Sequence, residues 1–102
     1  MKQVFHLYKS DKPNKKFMVI TINPKTGRQK TVHFGLAGAS DFLHHKDENR
    51  KALYIKRHFG MGEHWDDPMT AGFWSLHLLW NKKTMRQSIT DTMKKFNIKI
   101  LF

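Results

Sequence analysis

Tryptophan, arginine and histidine, three uncommon residue types, are crowded into one stretch of this chain, residues 54–81. It reads YIKRHFGMGEHWDDPMTAGFWSLHLLWN and contains all three tryptophans. Lys56, Arg57 and His58 lie within it, and Arg50 precedes Arg57 by seven residues. Arginine offers a planar fork of donors that matches a phosphate group, and a nearby histidine can add another donor. The pattern predicts phosphate contacts, with Arg57 and His58 closest to a nucleic-acid groove; a solvated helix face is the alternative.

Two further groups of cations have the same potential. Lys82, Lys83 and Arg86 lie at the start of a predicted helix, where backbone N–H groups already favour anions. Lys25, Arg28 and Lys30 lie at the tip of a predicted β-hairpin, a shape that suits a groove or a line of phosphates. Ordinary solvated surface charge explains either group equally well, and the sequence leaves both interpretations open.

The net charge of +11 is distributed unevenly along the chain. Residues 1–40 hold eight Lys and Arg against one acidic residue, residues 41–80 hold five against six, and residues 81–102 hold six against one. A surface of this kind attracts polyanions through long-range steering and counterion release. The charge favours nucleic acid as the partner over an acidic protein or a membrane surface, or over a role in solubility alone.

Length and composition limit the architecture. A chain of 102 residues predicts one domain, residues 1–102, whose thin core is compatible with a homodimer. Because it has no cysteine, it has neither disulfides nor thiolate metal sites, as in intracellular proteins. No apolar run approaches the roughly 20 residues that span a bilayer, and the N-terminus does not resemble a secretory signal.

The aromatic and histidine residues allow other interpretations. Trp74 and Trp80 occur in a segment that is apolar on nearly every side, which predicts burial, although tryptophans can also stack on bases. Trp65 lies beside Glu63 in a charged loop, where the pair could contact a partner. The many histidines raise the alternative of a metal-dependent nuclease, but their spacing matches no zinc signature, so we predict neither a metal, a cofactor nor catalysis.

The predicted fold is α+β, with a small antiparallel sheet packed against about three helices. The sheet combines an N-terminal strand, a β-hairpin at about 16–34 and a C-terminal strand from Ile98. The predicted helical segments are 41–45, 48–58, 71–80 and 85–96.

Local signals refine the helices. Ser40 or Asp41, Thr70 and Thr84 are predicted N-caps, and Gly60–Gly62 is predicted to end the second helix. In that helix Leu53, Ile55 and Phe59 are expected to face the core, while Arg50, Tyr54, Arg57 and His58 share another face. In the last helix the expected buried stripe consists of Met85, Ile89, Met93 and Phe96.

The chain resembles a family of small basic proteins encoded by nucleocytoplasmic large DNA viruses, marseilleviruses and phycodnaviruses among them. The resemblance rests on four short motifs, YIKRH, EHW, TAGFWS and LLWN. The resemblance covers about Lys46 to Phe96. It differs at Leu76-His77, where the family has an Arg–aromatic pair, and at Lys83, where the family has proline. The resemblance implies a virus-encoded, DNA-associated protein that acts in the viral factory, the host nucleus or the virion.

These observations favour a non-enzymatic protein that binds nucleic acid, DNA in preference to RNA. The expected target is double-stranded DNA, contacted through its phosphates with low sequence specificity. The alternative is a protein–protein adaptor that docks a host or viral protein through the aromatic block.

Overall fold

The computed structural model describes residues 3–59 and 64–102, and it confirms the α+β class. The predicted end of the second helix at Gly60–Gly62 lies outside the described residues. The strands are β1 Val4–Lys9, β2 Lys15–Ile22, β3 Gln29–Leu36 and β4 Lys99–Leu101. The helices are α1 Phe42–His45, α2 Glu48–Phe59, α3 Ala71–Trp74, which continues as a π-helical segment Ser75–Leu79, and α4 Met85–Phe96.

The described strands form one sheet in the order β3-β2-β1-β4. Strands β1, β2 and β3 are antiparallel neighbours, with Phe5 opposite Thr21 and Val19 opposite Val32. The C-terminal strand completes the sheet as predicted, but it runs parallel to β1, starting with Lys99 opposite Val4. The sheet is therefore mixed rather than purely antiparallel. Parallel neighbours need a long connection, and the chain between β1 and β4 passes through all the other described elements.

The predicted hairpin turn is formed by Asn23–Arg28. The Asn23 side chain accepts a hydrogen bond from the Lys25 amide at 2.9 Å, and its backbone pairs with Arg28 at 2.8 Å. Gly27 adopts a φ of 72°, a conformation that costs glycine little. The turn projects from the end of the sheet where Ile22 lies opposite Gln29.

The core lies between one face of the sheet and the segment from α3 to α4. Phe5, Val19 and Phe34 are fully buried on the sheet side. Trp74 packs its ring against Phe5, with 5.1 Å between centroids, and its indole N–H donates to the Pro68 carbonyl at 2.8 Å. The prediction that Trp74 is buried is therefore confirmed.

The N-caps are as predicted. Asp41, Thr70 and Thr84 each accept a hydrogen bond from a backbone amide of the first turn. Asn97 ends α4 in the left-handed conformation, with a φ of 53°. These caps satisfy amides that a helix leaves without internal partners.

Two burial predictions are wrong. Leu53 and Phe59 of α2 are 56% and 78% exposed, and none of the twelve residues of α2, all of which the structure describes, is buried. Trp80 is only partly buried at the margin of the core. Of the predicted core-facing residues of α2 only Ile55 is half-buried, and the helix contacts the domain mainly through Tyr54 and Lys51.

Candidate nucleic-acid interface

An aromatic stack joins α2 to the rest of the domain; it consists of His45, Trp80, Tyr54 and His58. The Tyr54 and Trp80 rings lie 4.2 Å apart and within 4° of parallel. His58 covers the other face of Tyr54 at 4.1 Å, and its Nδ1 lies 2.9 Å from the Tyr54 carbonyl oxygen. His45 lies against Trp80 at 5.3 Å. Tyr54 therefore lies between two stacked rings, and these contacts link α2 to Trp80.

The stack limits the use of Trp80 as a platform for nucleic-acid bases. A base can stack only on a ring face that is accessible. Tyr54 already covers one face of Trp80, and His45 lies near the ring as well. Of the α2 residues near Trp80, the arginines are therefore better placed than the aromatic rings to contact a ligand.

Arg50 and Arg57 lie on either side of Tyr54 and line one cleft with it. The cleft has a volume of about 270 Å³ and is completed by Ser40, Leu53 and Trp80. Both arginines are exposed, and within the described residues neither forms an ion pair. Two guanidinium groups above a rigid aromatic support can each offer paired donors to phosphate oxygens.

His58 does not share this cleft, although the sequence placed it on the same face. It lines an adjoining cleft of about 460 Å³, together with Lys15, Lys16 and Ser75. In this cleft the Lys16 ammonium forms an ion pair with the Asp41 carboxylate at 2.6 Å and donates a hydrogen bond to the Ala39 carbonyl. Lys56 is exposed and lines neither cleft.

The second cationic group lies beside α2. Lys51 of α2 donates to the Asn81 carbonyl at 2.6 Å, while its ammonium lies 5.0 Å from the centre of the Phe42 ring. Asn81 immediately precedes Lys82, whose amide donates to the Ser88 hydroxyl at 3.0 Å. Lys82, Lys83 and Arg86 are exposed. We call Arg50, Arg57, Lys82, Lys83 and Arg86 the helical surface.

The hairpin cations lie far from the helical surface. Strand β2 has eight residues and spans about 23 Å at roughly 3.3 Å per residue. The turn with Lys25 and Arg28 projects from one end of the strand, whereas Lys15 at the other end lines a cleft with His58 of α2. The hydrogen bond from Lys51 to Asn81 therefore places the start of the second cationic group beside α2, whereas the hairpin lies at the far end of β2.

The predicted interaction pair is only partly described, because Glu63 lies outside the described residues. Trp65 is half-buried, and its ring lies 6.2 Å from Phe59. Its carbonyl accepts a hydrogen bond from His77 at 2.7 Å, whereas within the described residues its indole nitrogen is buried without a partner.

Two polar interactions were not identified from the sequence. His77 is nearly buried between the rings of Phe73 and Phe96, at 4.6 and 4.7 Å. Burial lowers the pKa of His77, partly opposed by its hydrogen bond to Trp65. Asn81 donates to Asp91 at 2.8 Å, and this bond is the main cause of the lowered pKa of Asp91. The hydrogen-bonded pairs are 12 and 10 residues apart and do not lie within one helix, so helical periodicity offered no signal for them.

Two other kinds of site are not found in the described part of the chain. Among residues 3–59 and 64–102, no group of three or more His, Asp or Glu side chains is arranged to hold a metal ion. No helix in those ranges is long and apolar enough to cross a membrane.

Fold and site together define a small basic α+β domain in which two arginines line a cleft beside an aromatic stack. A family of unknown function, DUF5754, matches residues 5–58, which is more than half of the chain. The protein therefore belongs to this family. The match extends from β1 through α2, so it includes Arg50 and Arg57 and ends before Lys82. No curated protein and no solved structure matches the chain.

Proposed function

We propose that this protein binds double-stranded DNA through its phosphates, with low sequence specificity, and that the helical surface makes the main contacts. The observation that carries the proposal is the hydrogen bond from Lys51 of α2 to Asn81, which places the residue before Lys82 against the helix that bears Arg50 and Arg57. The viral setting implied by the sequence resemblance, in the factory, the host nucleus or the virion, belongs to the same proposal.

Charge and rigidity both support this function. Within the described residues, Arg50, Arg57 and Lys82 form no ion pair, so their charges remain available to an external anion. Because the aromatic stack fixes α2, little flexibility is lost when the arginines bind. Phosphate contacts of this type position a protein on a duplex without reading its sequence.

The first test measures duplex affinity as a function of salt. If six or more phosphates are engaged, the affinity of the wild-type protein should fall by roughly 10³-fold or more between about 50 and 200 mM salt. Replacing Arg50, Arg57 and Lys82 together by alanine should reduce the slope of log affinity against log salt by about 2.7, which is about 0.9 for each phosphate that is no longer neutralised. Fluorescence anisotropy with a labelled DNA duplex measures both quantities.

The hairpin provides a matched control. Replacing Lys25, Arg28 and Lys30 by alanine removes the same charge from other exposed positions. We expect this variant to retain most of the salt slope for the duplex. Equal losses in both variants would show that the charge acts as a whole, and an unchanged slope in the helical variant would contradict the proposed surface. A parallel measurement with duplex RNA tests the preference for DNA.

The exposed aromatic residue of α2 favours a second candidate, a protein–protein adaptor. Phe59 is 78% exposed and lies near Trp65. An exposed large apolar side chain of this kind can serve as an anchor for a partner protein. If Phe59→Ser abolishes capture of a specific protein partner while duplex binding persists, the adaptor function is supported beside DNA binding.

A further inference from the structure

The face of the sheet opposite the core is not covered by any helix that the structure describes. The strand register places two rows of side chains on it: Leu101, His6, Ile20 and Thr31 in one row, and Tyr8, Met18 and His33 in the other. None of these residues is buried, whereas Phe5, Val19 and Val32 on the opposite face are. We call this surface the open sheet face; DNA binding by the helical surface does not involve it.

Two rings on this face are arranged for stacking. His6 and Tyr8 project from alternate positions of β1, with 6.4 Å between ring centroids and 10° between ring planes. Tyr8 is 49% exposed. Aromatic rings on an accessible sheet surface are a common means of binding unpaired bases, since every base has an apolar face that can stack.

A groove lies beside these rings, toward the hairpin end of the sheet. It has a volume of about 490 Å³, and its apolar lining comes from Val4, Ile20, Ile22 and Pro24. Gln3 and Gln29 line it as well. Glutamine side chains carry both donors and acceptors, so they can pair with the edge of a base. An apolar groove with amide groups matches an unstacked nucleobase.

The charge around this face distinguishes between two possible binding partners, a second copy of this chain and a nucleic-acid strand. By the strand register Lys99 lies on the open sheet face, and the hairpin turn at its end adds Lys25 and Arg28. Asp11 lies 3.8 Å from His33 at the other end of the face. A second copy that docked through the same face would bring the same cations again. A nucleic-acid strand supplies negative charge together with apolar base faces, so it is complementary in both respects.

We propose that the open sheet face binds single-stranded nucleic acid. Bases stack on His6 and Tyr8 and enter the groove at Ile20, while Lys25 and Arg28 of the hairpin contact the phosphates of the same strand. A duplex hides its base faces in its own stack, so it has little to gain from this surface. Single-strand binding at this face uses the hairpin cations and is independent of duplex binding by the helical surface.

The test compares Tyr8→Ala with Tyr8→Phe, which keeps the ring. Both should fold, because Tyr8 lies at the surface; circular dichroism checks this. Anisotropy is measured with a short DNA strand, an RNA strand of the same sequence and the DNA duplex. Tyr8→Ala should weaken single-strand binding by about 5- to 150-fold, the range expected when one base loses its stacking partner, whereas Tyr8→Phe should retain it. Duplex affinity should change by less than about twofold. The DNA and RNA arms identify which strand is preferred.

Two results would overturn the inference. One is single-strand binding that is equal in the wild type and in Tyr8→Ala. The other is a wild-type dimer in analytical ultracentrifugation that Tyr8→Ala converts to monomer without a change in single-strand affinity, because the face would then be a self-interface. Tyr8-dependent binding of single strands by a protein that binds no duplex would support this inference and contradict the proposed function.

Discussion

The two longest helices, α2 and α4, each contain twelve residues but have opposite relations to the core. α4 buries Ser88, Ile89 and Thr92, whereas α2 buries none of the residues Glu48–Phe59. α4 contributes to the folded core, and α2 is attached at its surface by the aromatic stack. A helix attached in this way can present cations to a ligand on much of its circumference. Periodicity alone therefore does not separate a helix that packs into the core from one that lies on the surface of the domain.

Equivalent truncations in the two helices should have very different effects on stability. Ile89 is fully buried and Leu53 is 56% exposed. Ile89→Ala removes buried methylene groups and leaves a cavity, so it should lower the free energy of unfolding by about 2–5 kcal/mol. Leu53→Ala should change it by no more than about 0.5 kcal/mol. Urea denaturation followed by circular dichroism measures both, and similar losses would mean that α2 contributes to the core after all.

The attachment of α2 by stacking can be measured as a coupling energy. Tyr54 and Trp80 are replaced by leucine singly and together. An aromatic pair in near-parallel contact should give a coupling of about 0.5–1.5 kcal/mol beyond the area it buries. Hydrogen exchange should become faster in the amides of α2 while those of α4 remain protected. A coupling near zero, or loss of protection in both helices together, would show that the stack does not specifically hold α2.

The same contrast explains what the sequence could and could not predict. The stripe of Met85, Ile89, Met93 and Phe96 packs against the core as predicted, because an amphipathic helix follows its apolar period. The caps and the hairpin turn were predictable because each depends on residues a few positions apart. Leu53 and Phe59 were wrongly assigned because Tyr54 meets Trp80, 26 residues away, and no local pattern encodes that contact. The grouping of Arg50 with Lys82 depends on the same long-range arrangement.

The accessibility of the open sheet face could not be predicted from the sequence, for a different reason. Alternation along β1 and β2 separates two faces, but both are largely apolar, since Met18, Ile20 and Ile22 alternate with Phe17, Val19 and Thr21. An apolar run of this kind is typical of a strand buried on both sides. Only the position of the helices on one side shows that the other row is accessible.

The buried histidine beside α4 should make stability depend on pH, because His77 packs against Phe73 and Phe96 on the core side. Its pKa is lowered chiefly by burial, and nearby Lys95 adds to the shift while the Trp65 carbonyl and Asp91 oppose it. The folded state therefore favours the neutral ring. Above the unfolded-state pKa of 6.5 both states are neutral at this position, and the contribution to stability is fully present. As the pH falls below 6.5, the unfolded state takes up the proton more readily, and stability is lost.

His77→Gln, which keeps a side-chain donor for the Trp65 carbonyl but cannot titrate in this range, isolates that contribution. The wild-type protein should lose more unfolding free energy between about pH 7 and pH 5 than the variant does, and the difference is the contribution of His77. His58→Gln is a suitable control, because this ring lies in the aromatic stack on the side of α2. Denaturant titrations of the three proteins across this range provide the comparison. An identical pH dependence in the wild type and in His77→Gln would mean that the buried ring accepts its proton as readily as an exposed one.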